Sequence, residues 1–260
     1  MSTLTDLLII RNSYQSQLDN FKSTPLLKKE LKDFRDAAPT IKNIDDFIKN
    51  PKVFNFVLKA YGMDDKPYPA YIKKLLVEGT KDPKAFANSF VDARIKEFVN
   101  DMGFAEGANG HFDSADFITK IEKKYEVLQF ETNKGELNSN LRLGMYFERK
   151  ASSMDNWYSV LADKALSEVV ITALGLPKEA RLGNIDKLAD LLEKRIPIKD
   201  LQDPKKVKDI VTRFAVMGDR DNTIANNATI QLFQASLGGG GRQIIHIDQN
   251  VLAMASKMRY

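Results

Sequence analysis

The sequence predicts an all-α fold of two related multi-helix units packed together, with one candidate short strand at 243–248. Three observations carry this expectation. Apolar residues recur at helical spacing along nearly the whole chain, and no stretch alternates with period two over six residues. Four capping residues, Thr24, Asn50, Asp82 and Asp203, are each followed directly by proline. The order helix, glycine, loop, helix, Asp-Pro-Lys, helix occurs twice, over 53–99 and 165–214. Such internal repetition marks a repeated structural unit rather than an active site.

The elements follow in order. Leu4, Leu8, Tyr14, Leu18 and Phe21 line a first helix, and Leu27, Leu31 and Phe34 a second that Thr24 opens. A Thr, Asn or Asp side chain accepts from the free N–H groups of a first helical turn. Proline directly after it surrenders only an N–H that has no intrahelical partner. Ile44, Phe47 and Ile48 form a short third helix, and Phe54, Val57, Leu58 and Tyr61 a fourth. Ile72, Leu75 and Leu76 follow, and Asp82 opens a longer helix through Phe86, Phe90, Ile95 and Phe98. Phe117, Ile118, Ile121, Tyr125 and Leu128 line the next, capped by Asp116. Leu141, Met145 and Phe147 mark a helix that either continues into Trp157, Leu161, Leu166 and Val170 or breaks near Ser152 and Ser153. Ile185, Leu188, Leu191 and Leu192 come next, then Val207, Ile210, Val211 and Phe214 after Asp203, then Ile224, Ile230, Leu232 and Phe233. Asp248 caps a last helix over 249–259. Gly62, Gly103, Gly175 and Gly218 fall where helices should stop, because a left-handed terminal residue is cheap only for glycine.

The register of the repeat supports the pairing. Gly175 lies 113 positions after Gly62 (175 − 62), and Ile185 and Leu188 stand at the same offset from Ile72 and Leu75. Asp203 lies 121 positions after Asp82 (203 − 82), which places a longer loop around 195–201 in the second copy. The expected organisation is N-terminal amphipathic helices over 1–40, a first repeat over 41–104, connecting helices over 105–164, a second, diverged repeat over 165–217, and C-terminal helices over 218–260 with a Gly-rich turn at 238–241.

Composition narrows the chemistry. A chain of 260 residues with 43% hydrophobic and 28% charged residues has the make-up of a globular protein with a sizeable core. No apolar run approaches the ~20 residues that span a bilayer, so no transmembrane segment is expected. The first residues lack the basic and small-residue features of a cleaved signal peptide. With no cysteine, disulfides, thiolate nucleophiles and cysteine-based metal sites are out of reach. The 39 basic and 35 acidic residues interleave, as in KKELKDFRD at 28–36. This pattern marks solvated helix faces rather than a nucleic-acid surface.

The chemistry-bearing residues are scattered. His111 and His246 lie far apart, and neither belongs to a ligand-spaced cluster. Asp113 and Asp116 near His111 make only a weak metal signal. Asp219 and Asp221 lack the glycine and glutamate of a calcium loop and read as a helix cap. Asp64 and Asp65 close a helix–loop turn. Gly238 to Gly241 has neither the Lys-Ser/Thr of a P-loop nor dinucleotide spacing, and reads as a linker or tight turn. No catalytic residue, cofactor-binding residue or metal ligand is therefore assigned, and no cofactor is expected.

The segments LKAYGMDD (58–65), DPKAFANSF (82–90) and DARIKEF (92–98), preceded by IDDF (44–47), resemble the bacterial family known as domain of unknown function 1217. Ile95 stands where the family usually has an aromatic residue and Phe90 where it usually has leucine. The resemblance covers about 41–104 and is weaker over 165–260. No catalytic residue is carried over from the family. Its members resemble products of flagellar gene clusters in alphaproteobacteria. The resemblance implies a non-enzymatic flagellum-associated protein acting in assembly, export or structure through helix-mediated contacts with protein partners, flagellar components among them. A cytoplasmic helical adaptor or export chaperone is the alternative, and an enzyme of unrecognised type the third reading. The corresponding location is the cytoplasm, or export through the flagellar apparatus without a cleaved signal peptide. Specific nucleic-acid binding is not expected, and the sequence does not give the oligomeric state.

Overall fold

Helical periodicity dominates the sequence, and helices are what form. The computed structural model describes residues 2–63 and 68–226, the last six by backbone alone. The strand expected at 243–248, the glycine tract at 238–241, the final helix, His246, Asp64 and Asp65 lie outside the described residues. Among the described residues the chain is all-α and has no strand. The helices are α1 (Thr3–Lys22), α2 (Pro25–Ala37), α3 (Ile44–Lys49), α4 (Pro51–Ala60), α5 (Pro69–Glu78), α6 (Ala93–Met102), α7 (Ala115–Leu137), α8 (Ser139–Lys150), α9 (Trp157–Ala162), α10 (Lys164–Ala173), α11 (Ile185–Arg195) and α12 (Pro204–Asn226). Short 3-10 turns at Ala38–Thr40, Phe86–Ser89, Ala151–Ser153, Lys178–Leu182 and Ile198–Gln202 separate some of them. Residues up to Gly218 make one compact unit, and a second begins at Asp219. No helix among the described residues is long and apolar enough to cross a membrane.

The internal repeat extends well beyond 41–104 and 165–217. Asn43 caps α3 by accepting from Asp46 N, and Asn156, 113 positions on (156 − 43), caps α9 by accepting from Ser159 N. At the same offset Asn50 caps α4 and Asp163 caps α10. All six buried positions of α4, from Val53 to Ala60, have buried counterparts in α10 at that offset. Both helices end alike. Gly62 and Gly175 have φ of 63° and 64°. Met63 N then bonds Leu58 O at 2.9 Å, and Leu176 N bonds Ile171 O at 3.0 Å, the six-to-one closure of a glycine-terminated helix. Upstream, Ala38 and Ala151 open matching 3-10 turns, both fully buried. Phe34 on α2 and Phe147 on α8 are buried one turn before them. Ser2 caps α1 and Ser114 caps α7. Helices α1 to α6 are therefore repeated as α7 to α12.

The two halves exchange their first helices. One core holds Leu7, Ile10 and Leu18 of α1 with residues of α8 to α12. The other holds Phe117, Ile121 and Tyr125 of α7 with residues of α2 to α6. Within this second core, Phe34, Phe56 and Tyr125 stack in series, with centroids 4.2 Å and 3.8 Å apart, and fasten α7 to α2 and α4. The exchange repeats in charge, with sign reversed. Arg35 of α2 grips Glu122 of α7 through two bonds, of 3.0 Å and 2.8 Å. The counterpart of Arg35 is Glu148 on α8, which accepts from Arg11 Nε of α1 at 2.8 Å.

Three local expectations change. Asp82 opens a turn and not a long helix. Its carboxylate accepts from Lys84 N at 2.8 Å, and Asn88 Nδ2 donates to the carbonyls of Thr80 and Asp82 at 2.8 Å each. These bonds fold the segment into a turn followed by 3-10 geometry, Phe90 is extended, and Asp92 caps α6. The partner of Asp203 is thus Asp92, 111 positions earlier (203 − 92), and no long insertion exists around 195–201. The buried positions Ile95, Phe98, Val99 and Met102 of α6 match Val207, Ile210, Val211 and Phe214 of α12. Gly218 does not stop a helix, because α12 runs on to Asn226, so Asp219 and Asp221 are interior to it rather than caps. A Cβ at Gly218 would lie 2.7 Å from Asn140 Nδ2, so crowding by α8 accounts for the glycine. Ser114, whose Oγ accepts from Phe117 N at 3.3 Å, caps α7 in place of Asp116. The region around Ser152 and Ser153 does break the helical run.

The ion pair of Arg11 and Glu148 leaves side-chain exposures of only 14% and 24%, whereas Lys32 and Asp36 keep 77% and 62%. A double-mutant cycle with R11A and E148A, read by urea unfolding, should give a coupling of roughly 1–2 kcal/mol. The same cycle with K32A and D36A should give at most about 0.5 kcal/mol.

Candidate functional site

A concavity of about 600 Å³ opens where the two halves meet. Helical spacing builds its walls. Lys123, Lys124, Val127, Leu128 and Glu131 lie on one face of α7, and Ser139, Arg142, Leu143, Tyr146, Arg149 and Lys150 on one face of α8. The end of α4 contributes Ala60, Tyr61 and Gly62, α6 contributes Arg94 and Glu97, and the start of α10 contributes Asp163, Lys164 and Ala165.

Seven of these residues are cationic and three are carboxylates, and all three carboxylates are engaged. Glu131, buried on α7, receives Arg149 Nε at 2.6 Å and Nη2 at 2.9 Å. Glu97 accepts from Lys124 and, at 3.0 Å, from Lys150. One Asp163 oxygen caps α10, taking Ala165 N at 2.8 Å, and the other accepts from the Tyr146 hydroxyl at 2.6 Å. Arg94 donates to Gly62 O at 2.6 Å and to both carboxylate oxygens of Asp92. Lys123, Arg142 and Lys164 are exposed and have no ion-pair partner among the described residues.

The electrostatics follow from burial and charge. Burial pushes the Tyr61 and Tyr146 hydroxyls far above the usual phenol range, and the facing Asp101 and Asp163 reinforce this. Both phenols stay neutral donors at physiological pH. Burial would raise the Glu97 carboxyl, but hydrogen bonds and charge from Lys124 and Lys150 outweigh it and hold the group below its ordinary value. Burial opposes the charge on Arg149, and Glu131 more than restores it. The wall is a set of fixed charges around apolar surface, suited to holding a ligand.

A second feature lies along α5 and the 3-10 turn after it, half-buried against the core of α2 to α6. Tyr71, Phe86 and Phe90 pack edge to face, with centroids 5.7, 5.8 and 4.9 Å apart. The Lys74 ammonium sits 4.2 Å over the Phe86 ring. Tyr68, one turn before Tyr71, is 75% exposed, and Val91 beside Phe90 is 62% exposed.

The other candidates separate in space or in role. His111 Nδ1 lies 2.8 Å from the Asp101 carbonyl and its ring packs against Phe117, which ties it to the end of α6. No cluster of histidines and carboxylates suited to a metal ion occurs among the described residues, so Asp113 and Asp116 do not gather around His111. Sequence reasoning did not find the concavity. Its residues come from five helices and form no linear motif. The one signal available is that four of them, Tyr146, Arg149, Lys150 and Lys164, differ in kind from their counterparts in the other half.

These features define an internally duplicated, all-α protein with a cationic cleft at the junction of its halves. The chain belongs to the family described as protein of unknown function (DUF1217), whose model matches residues 60–207. That span runs from the end of α4 into α12, wider than the segment whose motifs carry the resemblance. The chain is also similar to protein AGR_C_984 from Agrobacterium tumefaciens, known from an X-ray crystal structure. The two share 33% identity over 85% of this chain and 97% of that one, with a TM-score of 0.76. No curated protein matches.

Glu97 sets a pH prediction. Its folded value is depressed, so its contribution to stability is complete above the unfolded carboxylate value of about 4.3 and fades as pH falls through the folded value. Urea midpoints measured against pH should fall on acidification, and E97Q should be less stable at pH 7 with a shallower acid slope. An unchanged slope in E97Q would show that the lysine bridge contributes nothing. At the other wall, R149A leaves Glu131 buried without its partner and should cost roughly 3–5 kcal/mol in the same assay, with part recovered in R149A/E131Q.

Proposed function

We propose that this is a non-enzymatic flagellum-associated protein that acts in assembly, export or structure by binding protein partners through helix faces. The observation that carries the binding part is the aromatic ledge on α5 and the following 3-10 turn. Tyr71, Phe86 and Phe90, half-buried against the core of α2 to α6, hold one another in place, and exposed Tyr68 and Val91 flank them in sequence. Preorganised aromatic side chains bury large area at low entropic cost and anchor protein interfaces. Phe86 and Phe90 belong to the DPKAFANSF segment that carries the family resemblance. The flagellar setting rests on that resemblance to products of flagellar gene clusters.

The test is made in a flagellated host that carries the gene. A deletion strain should swim poorly, and the tagged chain should fractionate with flagella or basal bodies. Y68S/V91D should keep its thermal midpoint and lose both capture of flagellar components and rescue of swimming. Capture of export components in the cytoplasm, with none of the chain in the medium, would favour an adaptor role. Normal swimming together with no flagellar association would sink the reading.

A further inference from the structure

We propose that the cleft between α4, α6, α7, α8 and α10 binds an organic anion with an apolar body, a carboxylate or phosphate ester carrying an aliphatic or aromatic chain. The volume of about 600 Å³ is that of a site for a small ligand. Its apolar surface comes from Val127, Leu128 and Leu143. The anion follows from the charge account. Every carboxylate in the wall already has its cation or donor, so Arg142, Lys164 and Lys123 remain to meet an incoming negative charge. Opposite charges at the mouth of a partly enclosed cleft attract more strongly than on open surface.

Two further observations point the same way. Gly135 lies within α7, where glycine costs about 1 kcal/mol against alanine. A Cβ there would stand 2.8 Å from both Cβ and Cδ of Arg142. The glycine therefore gives the Arg142 stem room to lie against α7 beside the cleft. The second observation is the difference between the halves. At an offset of 113, Tyr146, Arg149, Lys150 and Lys164 correspond to Asp33, Asp36, Ala37 and Pro51. Arg142 has a basic counterpart in Lys29, so the halves share that cation and differ at these four positions.

The probes are decanoate, decyl phosphate, decanol and inorganic phosphate, titrated calorimetrically into the full-length chain. Decanoate or decyl phosphate should bind at one saturable site, and whichever binds more tightly identifies the head group. Decanol and inorganic phosphate should each bind at least tenfold more weakly, because each lacks one half of the recognition. R142E/K164E changes two exposed side chains and should weaken the preferred anion at least tenfold with an unaltered circular dichroism melt. G135A, which displaces Arg142 without changing charge, should weaken it severalfold. Equal binding of decanol and decanoate, an affinity unmoved by R142E/K164E, or no saturable site in the wild-type chain would each overturn the proposal. None of these outcomes bears on the aromatic ledge, whose variant is scored by capture and swimming.

Discussion

Helix α7 is the constraint on which the rest of the structure depends. It runs for 23 residues, about 34 Å at the usual helical rise, and serves both cores. Phe117, Ile121 and Tyr125 belong to the core of α2 to α6, and Phe130 to that of α8 to α12. Its two buried carboxylates are each held by an arginine fork, Glu122 by Arg35 of α2 and Glu131 by Arg149 of α8. A buried carboxylate is costly unless a cation meets it with good geometry. Each fork therefore fixes the rotation of α7 about its axis as well as its place. Rotating α7 by one residue would bury a lysine in place of Glu122 and turn Tyr125 out of the aromatic stack.

The exchange of α1 and α7 between the halves explains why the reversed ion pair is informative. A duplicated chain inherits equivalent contacts, and packing holds the apolar ones to a narrow set of volumes. A charge pair is freer, because either partner can carry either sign if both change together. Positions 35 and 148 correspond across the repeat, yet one is arginine and the other glutamate, and the helix facing each supplies the opposite charge. The contact between the second helix of one half and the first helix of the other has thus been kept while its chemistry was inverted. That contact holds the exchanged helices in place.

Much of the local structure was legible in the sequence. Asn50 and Asp203 open helices, Gly62, Gly103 and Gly175 close them, and the offset of 113 is visible between two glycines. Capping and glycine signals are local, so spacing alone exposes them. Asp82 misled because Asp-Pro opens turns as readily as helices, and the bonds of Asn88 that decide between them join residues six and eight apart. Gly218 misled because its reason is tertiary, the side chain of Asn140. The helix exchange was not legible at all. An apolar stripe shows that a helix buries a face, and says nothing about which half of a duplicated chain covers it.

The cleft follows from what duplication leaves free. In α4 and α10 every buried position of the first helix is buried in the second, although side-chain size changes at some of them, as from Phe54 to Ser167 and from Phe56 to Val169. Around the cleft the character itself changes at several positions: Tyr146, Arg149 and Lys150 differ in kind from Asp33, Asp36 and Ala37. One of these differences is costly for the fold taken alone. Arg149 and Glu131 place a charged pair beside a core that apolar residues of like volume could fill at least as well. Beside the cleft, that same pair is a fixed, charge-compensated part of the wall. The two halves thus share the framework that packing demands, and the polar groups set into it at their junction distinguish one half from the other.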